Sequence, residues 1–400
     1  MGYTCSSIAM VLRRKNHHPM SLLFGASLIL LSSCEVSERP QTIVHPVSSL
    51  IPGINDSHDL DSHDYDPRDL HDARELAQNL LSSTEILTLG VLDGKPHEMF
   101  GQISDIELDS SGNVYVLDGQ YSEVRVFNSE GLFLYSVGSS GRGPGEFFMP
   151  QGMEVDSIGQ VYVVDKTYRK TTFNQVGNSH ELGETTALSV SPVGLCKRDG
   201  IFYIHGTSPG ESSNAIVSYS LDGDSLGAFG TIYKSPSAAV RLTFGRGHIA
   251  CSRYPGLIIY SPRWLPMIYG YSLEGDIRWI ARISNFEPLE VIENKQGESG
   301  QSGVSMDFFA SKSDQVVGLV SLPEKHVIVQ VASFTPESVN GAGERYAMLR
   351  SYIMLSQSGE AVYIGDSLPR IKAISDDHLY TTRTSPYPQI SVRSYSAVGE

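Results

Sequence analysis

The chain has 400 residues, of which 40% are hydrophobic, with 38 Gly, 20 Pro and 20 Tyr, a composition that fits a turn-rich β protein with a sizeable core. Its length exceeds an ordinary single domain, although repeat architectures and closed all-β folds reach it as one unit. The formal net charge of −15 repels phosphate backbones, so nucleic acid is excluded as an expected partner.

The first segment, residues 1–33, has the layout of a secretory signal. The basic patch Arg13-Arg14-Lys15 precedes an apolar run from Ser21 to Leu31, which is too short to span a membrane, a task that takes about 20 residues. The run ends in LSSC, Leu31 to Cys34, which resembles the bacterial lipobox. That resemblance implies lipidation of Cys34 and attachment to a membrane through an N-terminal lipid anchor, and Glu35 after it favours the outer membrane. An ordinary cleaved signal with an incidental cysteine is the alternative. Beyond Cys34 the sequence has two thiols, Cys196 and Cys251. They can pair in an oxidising compartment, but nothing in the sequence places them together, and two buried free cysteines are the default.

Residues 34–84 read as a flexible tether. Between Asp56 and Asp72 lie seven Asp and three His. These are transition-metal ligand types at no defined spacing, so a solvated linker is the simpler reading. DLHDARELAQNLL carries Leu70, Ala73, Leu76 and Leu80 at helical spacing, predicting a short helix.

From residue 85 to 400 the chain repeats itself. GKPHEMFGQISDIELDSSGNVYVLD from Gly94 aligns without a gap on GRGPGEFFMPQGMEVDSIGQVYVVD from Gly141. Each copy holds two β-rich runs around a Gly turn, a hairpin signature, and VRVFNSEGLFLYSVG adds a third and fourth strand. Four antiparallel strands in about 45 residues make one propeller blade. The turn after the third strand recurs at Gly131, Gly177, Gly223, Gly275, Gly359 and Gly399. Six turns predict an all-β, six-bladed β-propeller with four antiparallel strands per blade. The long interval from Gly275 to Gly359 then holds one blade with an insertion; seven blades is the alternative. GSSGRGPGEF crosses from the outer strand of one blade to the inner strand of the next, and its Phe packs between blades. The last blade ends one strand short, and EILTLG is spare at the other end. That strand is therefore expected to pair with residues 389–396 and close the ring, which removes its exposed edges.

The stretches G-x-GPGEF, P-x-G-hydrophobic-x-VD and G-x-hydrophobic-YV-x-D resemble the NHL-type six-bladed β-propeller, in particular lipoproteins of that class in Gram-negative bacteria. The resemblance implies fold and envelope location and brings no assigned activity. It is strong over 94–177 and reduces to turn positions beyond Gly223.

Enzymes among six-bladed propellers place ligands on several inner strands around the channel. The inner strands read here as QISDIELD, PQGMEVD, PVGLCKR, VRLTFGR, MDFFASK and RIKAISD. Asp105 and Glu154 can face the channel, and none of the six holds His. His205 and His248 read as surface or packed residues. Asp118 and Asp165 recur at one blade position and read as turn caps rather than a catalytic pair. No residue is assigned a catalytic or metal-ligating role, and no cofactor is expected. The loops between second and third strands carry Tyr121, Tyr168, Arg169, Tyr254, Arg263, Trp264 and Tyr387, residue types enriched at binding hot spots; packing of these side chains onto the blades is the alternative. The expected function is a monomeric, membrane-anchored binding or scaffolding module of the cell envelope, whose partner is a protein, peptide or glycan. The alternative is a hydrolase or lyase with a calcium-type channel metal, of the gluconolactonase-like or strictosidine-synthase-like class.

Overall fold

The structure is a computed structural model that describes residues 58–59, 71–176, 179–208, 214–231, 235, 237–289, 291–294, 303–306, 312–322, 325–335 and 347–396. Cys34, the leader and Gly177 and Gly399 of the recurring turns lie outside them.

The first described residues lie on the outer rim. A short strand β1 (His58–Asp59) pairs in parallel with the outer strand of the fourth blade. Helix α1 (His71–Leu81) follows, and strand β2 (Thr84–Leu89) after it. Blade 1 is β3 (Ile103–Leu108), β4 (Val114–Asp118), β5 (Glu123–Phe127) and β6 (Phe133–Val137). A two-residue bridge, β7 (Ser139–Ser140) with β8 (Glu146–Phe147), pins the next crossing. Blade 2 is β9 (Pro150–Val155), β10 (Val161–Asp165), β11 (Arg169–Val176) and β12 (Ser179–Ala187). Blade 3 is β13 (Ser191–Arg198), β14 (Ile201–Thr207), β15 (Asn214–Tyr219) and β16 (Ser225–Thr231). Helix α2 (Ala238–Phe244) leads into blade 4, formed by β17 (Gly247–Cys251), β18 (Ile258–Pro262), β19 (Met267–Tyr271) and β20 (Ile277–Arg282).

A hairpin, β21 (Val291–Asn294) with β22 (Gly303–Met306), is inserted before blade 5. That blade is β23 (Ser313–Ser321), β24 (His326–Phe334), β25 (Met348–Leu355) and β26 (Ala361–Gly365). Blade 6 is β27 (Arg370–Ile374), β28 (His378–Arg383) and β29 (Gln389–Ser394), completed by β2 on its outer edge. The inner strands β3, β9, β13, β17, β23 and β27 touch in that cyclic order, and β27 returns to β3.

The ring is therefore six blades of four antiparallel strands, closed by the N-terminal strand. β2 runs antiparallel to β29, with Thr84 opposite Ser394 and Leu89 opposite Ile390. The interval from Gly275 to Gly359 holds one blade, with the β21–β22 hairpin inserted.

The core explains the sequence pattern. The second strands are mostly apolar because both faces of a blade pack on neighbours. In β4, Val114 and Val116 enter the cluster between blades 6 and 1, while Tyr115 and Leu117 enter the one between blades 1 and 2. Six apolar clusters result, one per seam. Phe147 from GSSGRGPGEF is fully buried in the seam between blades 1 and 2, edge-on to Phe173. A Cβ at Gly138 would stand 2.2 Å from that ring, so a side chain there would displace it.

Three expectations change. VRLTFGR is not an inner strand: Ser237 Oγ accepts the Val240 N–H and starts α2, with Val240 and Phe244 on its buried face. The four-residue spacing of those two is helical, and the inner strand of blade 4 is β17. MDFFASK lies mostly outside the described residues, and the inner strand of blade 5 is β23. The folded body also begins before residue 85, because the apolar face of α1 (Ala73, Leu76, Ala77 and Leu80) is buried in the seam cluster of blades 5 and 6. The sequence did predict the helix; its docking makes part of the expected tether structural.

Candidate functional site: the central channel and the crossing face

Each inner strand runs from the face where the blades are joined, the crossing face, to the opposite face. Its alternate residues point to the axis. In β3 these are Asp105 and Glu107, in β9 Glu154, in β13 Lys197, in β17 His248, and in β27 Arg370 and Lys372; all line a cavity of about 1370 Å³. Among the described residues, eight Lys or Arg line it against three Asp or Glu, so this lining is basic inside an acidic chain.

The charges are segregated. The carboxylates stand on blades 1 and 2. Asp105 Oδ2 accepts the Met153 N–H at 3.0 Å, tying the two inner strands together. Burial first, then Glu154 and Asp105, push Glu107 well above the usual carboxylate range. Burial and Asp105 push Glu154 up to about 8. The cations stand on blades 3, 4 and 6. Lys197 pairs with Asp156 at 3.1 Å, and Lys372 donates to Ser104 O at 2.6 Å. Arg370 donates to Val317 O at 3.1 Å. Among the described residues, no group of three or more His, Cys, Asp or Glu side chains is placed to hold a metal ion.

His248 lines the channel from an inner strand rather than lying on the surface, because VRLTFGR folds as α2 and GHIAC becomes the first strand of its blade. Its Nε2 lies 3.0 Å from Val316 O. Burial, and behind it Arg263, Arg370 and Lys372, hold its pKa well below the ordinary value, so the ring is neutral at pH 7 and Nε2–H donates. His205 is packed, with Nδ1 2.7 Å from Ala215 O. Cys196 and Cys251 are not free: they form a disulfide between β13 and β17, joining the inner strands of blades 3 and 4.

The turn caps hold the crossing face rigid. Asp118 accepts N–H groups from Gly101, Gln102, Gln120 and Tyr121 at 2.8–3.2 Å. Asp165 repeats this in blade 2, accepting from Phe148 and Thr167. Each has an Arg from the third strand beside it, Arg125 and Arg169.

The seven candidate surface residues separate. Tyr121 and Tyr168 are exposed on the crossing face, Tyr121 beneath the Arg125 guanidinium at 5.0 Å. Tyr168 holds a left-handed φ of 62°. Arg169 is occupied with structure, donating to Thr167, Arg142 O and Glu146 O. Tyr387 is half-buried at the channel mouth. Tyr254 is 65% exposed but sits on the turn between first and second strands, hence on the opposite face. Trp264 is 7% exposed within the cluster of blades 3 and 4, so its indole packs rather than projects. Arg263 lines both the channel and a second cavity of about 480 Å³ on the crossing face, where it meets Tyr168, Trp264, Lys166 and Arg246.

Sequence reasoning missed Glu107, Lys166, Arg246, Arg370 and Lys372. The signal was present for three of them, Glu107, Arg370 and Lys372: D-I-E and R-I-K alternate charge with apolar residues as a strand does between channel and seam.

Residues 77–313 match a family described as 6-bladed beta-propeller. No curated protein matches the sequence. Among solved structures, a member of the DUF4221 family from Bacteroides vulgatus ATCC 8482 shares 8% identity over 79% of this chain and 98% of that one, with a TM-score of 0.51. A Bacteroides fragilis NCTC 9343 protein shares 14% identity over 75% and 83% of the two chains, with a TM-score of 0.49. Virginiamycin B lyase from Staphylococcus aureus shares 11% identity over 77% and 98%, with a TM-score of 0.44. At such identities the likeness to the first concerns the fold alone.

Proposed function

Because the chain belongs to the DUF5128 family of 6-bladed beta-propellers, we propose that it is a binding module of the cell envelope that receives an anionic group of a protein, peptide or glycan partner at the channel mouth on the crossing face. The observation that carries this reading is the sign of the channel: eight basic residues against three acidic ones among the described residues of its lining, in a chain of net charge −15. Cations gathered in a concave site with low-dielectric walls focus their field and raise the local concentration of anions. The envelope location is supported by the secretory layout of residues 1–33 and by the Cys196–Cys251 disulfide, a bond that persists in oxidising compartments. In this reading the repeat is of NHL type, the leader ends at a lipidated Cys34, and an outer-membrane anchor presents the propeller.

One experiment addresses both halves. Wild-type protein is expected to sediment with membranes and, in detergent, to bind a fluorescent oligoglutamate peptide at low salt, more weakly as salt rises. Cys34→Ala should move the protein to the soluble fraction with peptide binding intact, and Arg370→Ala should weaken the peptide with the anchor intact. Retention of Cys34→Ala on washed membranes would overturn the anchor. Absence of peptide binding, or binding indifferent to Arg370→Ala, would overturn the channel reading.

A further inference from the structure

Beside the channel mouth, the second crossing-face cavity has an arrangement that nothing in the propeller framework requires. Its volume is about 480 Å³, and it lies where blades 2, 3 and 4 meet. Lys166 enters from the turn after β10, whose backbone is fixed by the Lys166 N–H to Phe148 O bond of 3.1 Å. Arg246 enters from the end of α2, where its N–H donates to Thr243 O. Arg263 enters from the turn after β18, and its N–H donates to Arg246 O at 2.8 Å, so the two arginine backbones are locked side by side. Thr207 and Thr243 complete the polar wall, and Trp264 forms an apolar one.

Three cations thus converge on one half-enclosed space. Among the described residues its lining holds no Asp or Glu. Burial, and then the neighbouring Arg246 charge, hold the Lys166 ammonium below its usual range. Among the described residues neither Lys166 Nζ nor the Arg246 guanidinium has an ion pair or hydrogen bond. Packing like charges together with part of their water removed is unfavourable, and nothing in the blade architecture calls for it at this place. An anion in the cavity would reverse the sign of that interaction.

We propose that this cavity binds a phosphoryl group, either free phosphate or a phosphate monoester, between Lys166, Arg246 and Arg263. A carboxylate offers one negative charge to three cations, whereas a phosphoryl group brings close to two and three strong acceptor oxygens. Those oxygens match the donors present: a point-charge ammonium, forked guanidinium groups and the two threonine hydroxyls. The remaining volume and the Trp264 wall leave room for the esterified part of a monoester. This site deepens the reading of the crossing face as the ligand-binding face, and Lys166, which does not line the channel, separates the two.

The test is calorimetric titration of the full chain in detergent with sodium phosphate, with sodium acetate as control, read alongside thermal unfolding. Phosphate is expected to bind and to raise Tm, as any ligand of the native state does, while acetate does neither. Lys166→Ala should weaken phosphate by at least about tenfold, the size of one lost charge-assisted contact, and Lys166→Arg should retain it. A monoester such as glycerol phosphate that binds more tightly than free phosphate identifies an ester as the ligand; equal affinity identifies the free ion. No phosphate-dependent heat or Tm shift, an equal response to acetate, or undiminished binding by a folded Lys166→Ala would overturn the site. Arg370→Ala should leave phosphate affinity unchanged, so loss of oligoglutamate binding alone would leave this site standing.

Discussion

Asp118 and Glu154 show how the same side-chain chemistry serves two ends. Asp118 is fully buried, yet its oxygens accept four backbone N–H groups and Arg125 stands beside it at 3.7 Å. The charge is satisfied, and the turn it closes presents Tyr121. Its repeat at Asp165 was legible as a cap because a residue that returns at one blade position serves the blade. Glu154 lies on the channel wall, and burial and Asp105 raise its pKa from 4.5 to about 8. A carboxyl whose folded pKa is raised stabilises the fold fully below its unfolded value, and that contribution is lost as pH rises through the folded one. Stability of the wild type should therefore fall between pH 4.5 and about 8 relative to Glu154→Gln, whose amide imitates the protonated acid. Parallel denaturation curves for the two proteins across that range would refute the assignment.

Helix α1 is the element whose role differs most from the expectation for a tether. The spacing of Ala73, Leu76 and Leu80 made a helix legible, but an acidic, His-rich stretch before it suggested a solvated segment. What decides the matter is the apolar surface left at the outer part of the seam between blades 5 and 6, where Leu322, Ile328, Ile353 and Leu355 await a partner. Lys325 adds a 2.9 Å ion pair with Asp72 at the helix start. Leu80 is fully buried there, whereas its neighbour Leu81 is 43% exposed. Leu80→Ala is expected to cost about 2–5 kcal/mol, measured by chemical denaturation, and Leu81→Ala no more than about 0.5 kcal/mol. Equal effects would mean that the helix only decorates the ring.

At the scale of the whole molecule, closure makes the ring one cooperative body. Every blade buries both faces against neighbours, so an open ring would expose two apolar faces and an unpaired edge at once. β2 prevents this by pairing with β29 while Leu89 enters the cluster of blades 6 and 1. A chain starting at residue 83 keeps that strand, and one starting at residue 91 lacks it. The first is expected to remain soluble, destabilised by the loss of α1. The second should aggregate or unfold over a broadened transition, with the unpaired β29 edge inviting association. Soluble, sharply cooperative unfolding of the shorter chain would show that six blades hold together without the closing strand.

By itself the sequence determined the blade, the blade number and the way the ends meet, because these depend on local periodicity and on turns that need glycine. Gly112, Gly131, Gly159, Gly223, Gly275 and Gly359 all sit at positive φ in the structure, and their spacing is visible in one dimension. It also exposed the caps, since repetition separates framework from exception. Only the tertiary structure decided what the inner strands present to the axis. Arg370 and Lys372 are far in sequence from Arg246 and Arg263, and a charged face on one short strand has no meaning until five others surround it. The Cys196–Cys251 bond became legible only once GHIAC, rather than VRLTFGR, took the inner position next to β13. The basic channel in an acidic chain is a property of convergence: net charge is summed over residues, whereas the field at a cavity depends on which residues face it.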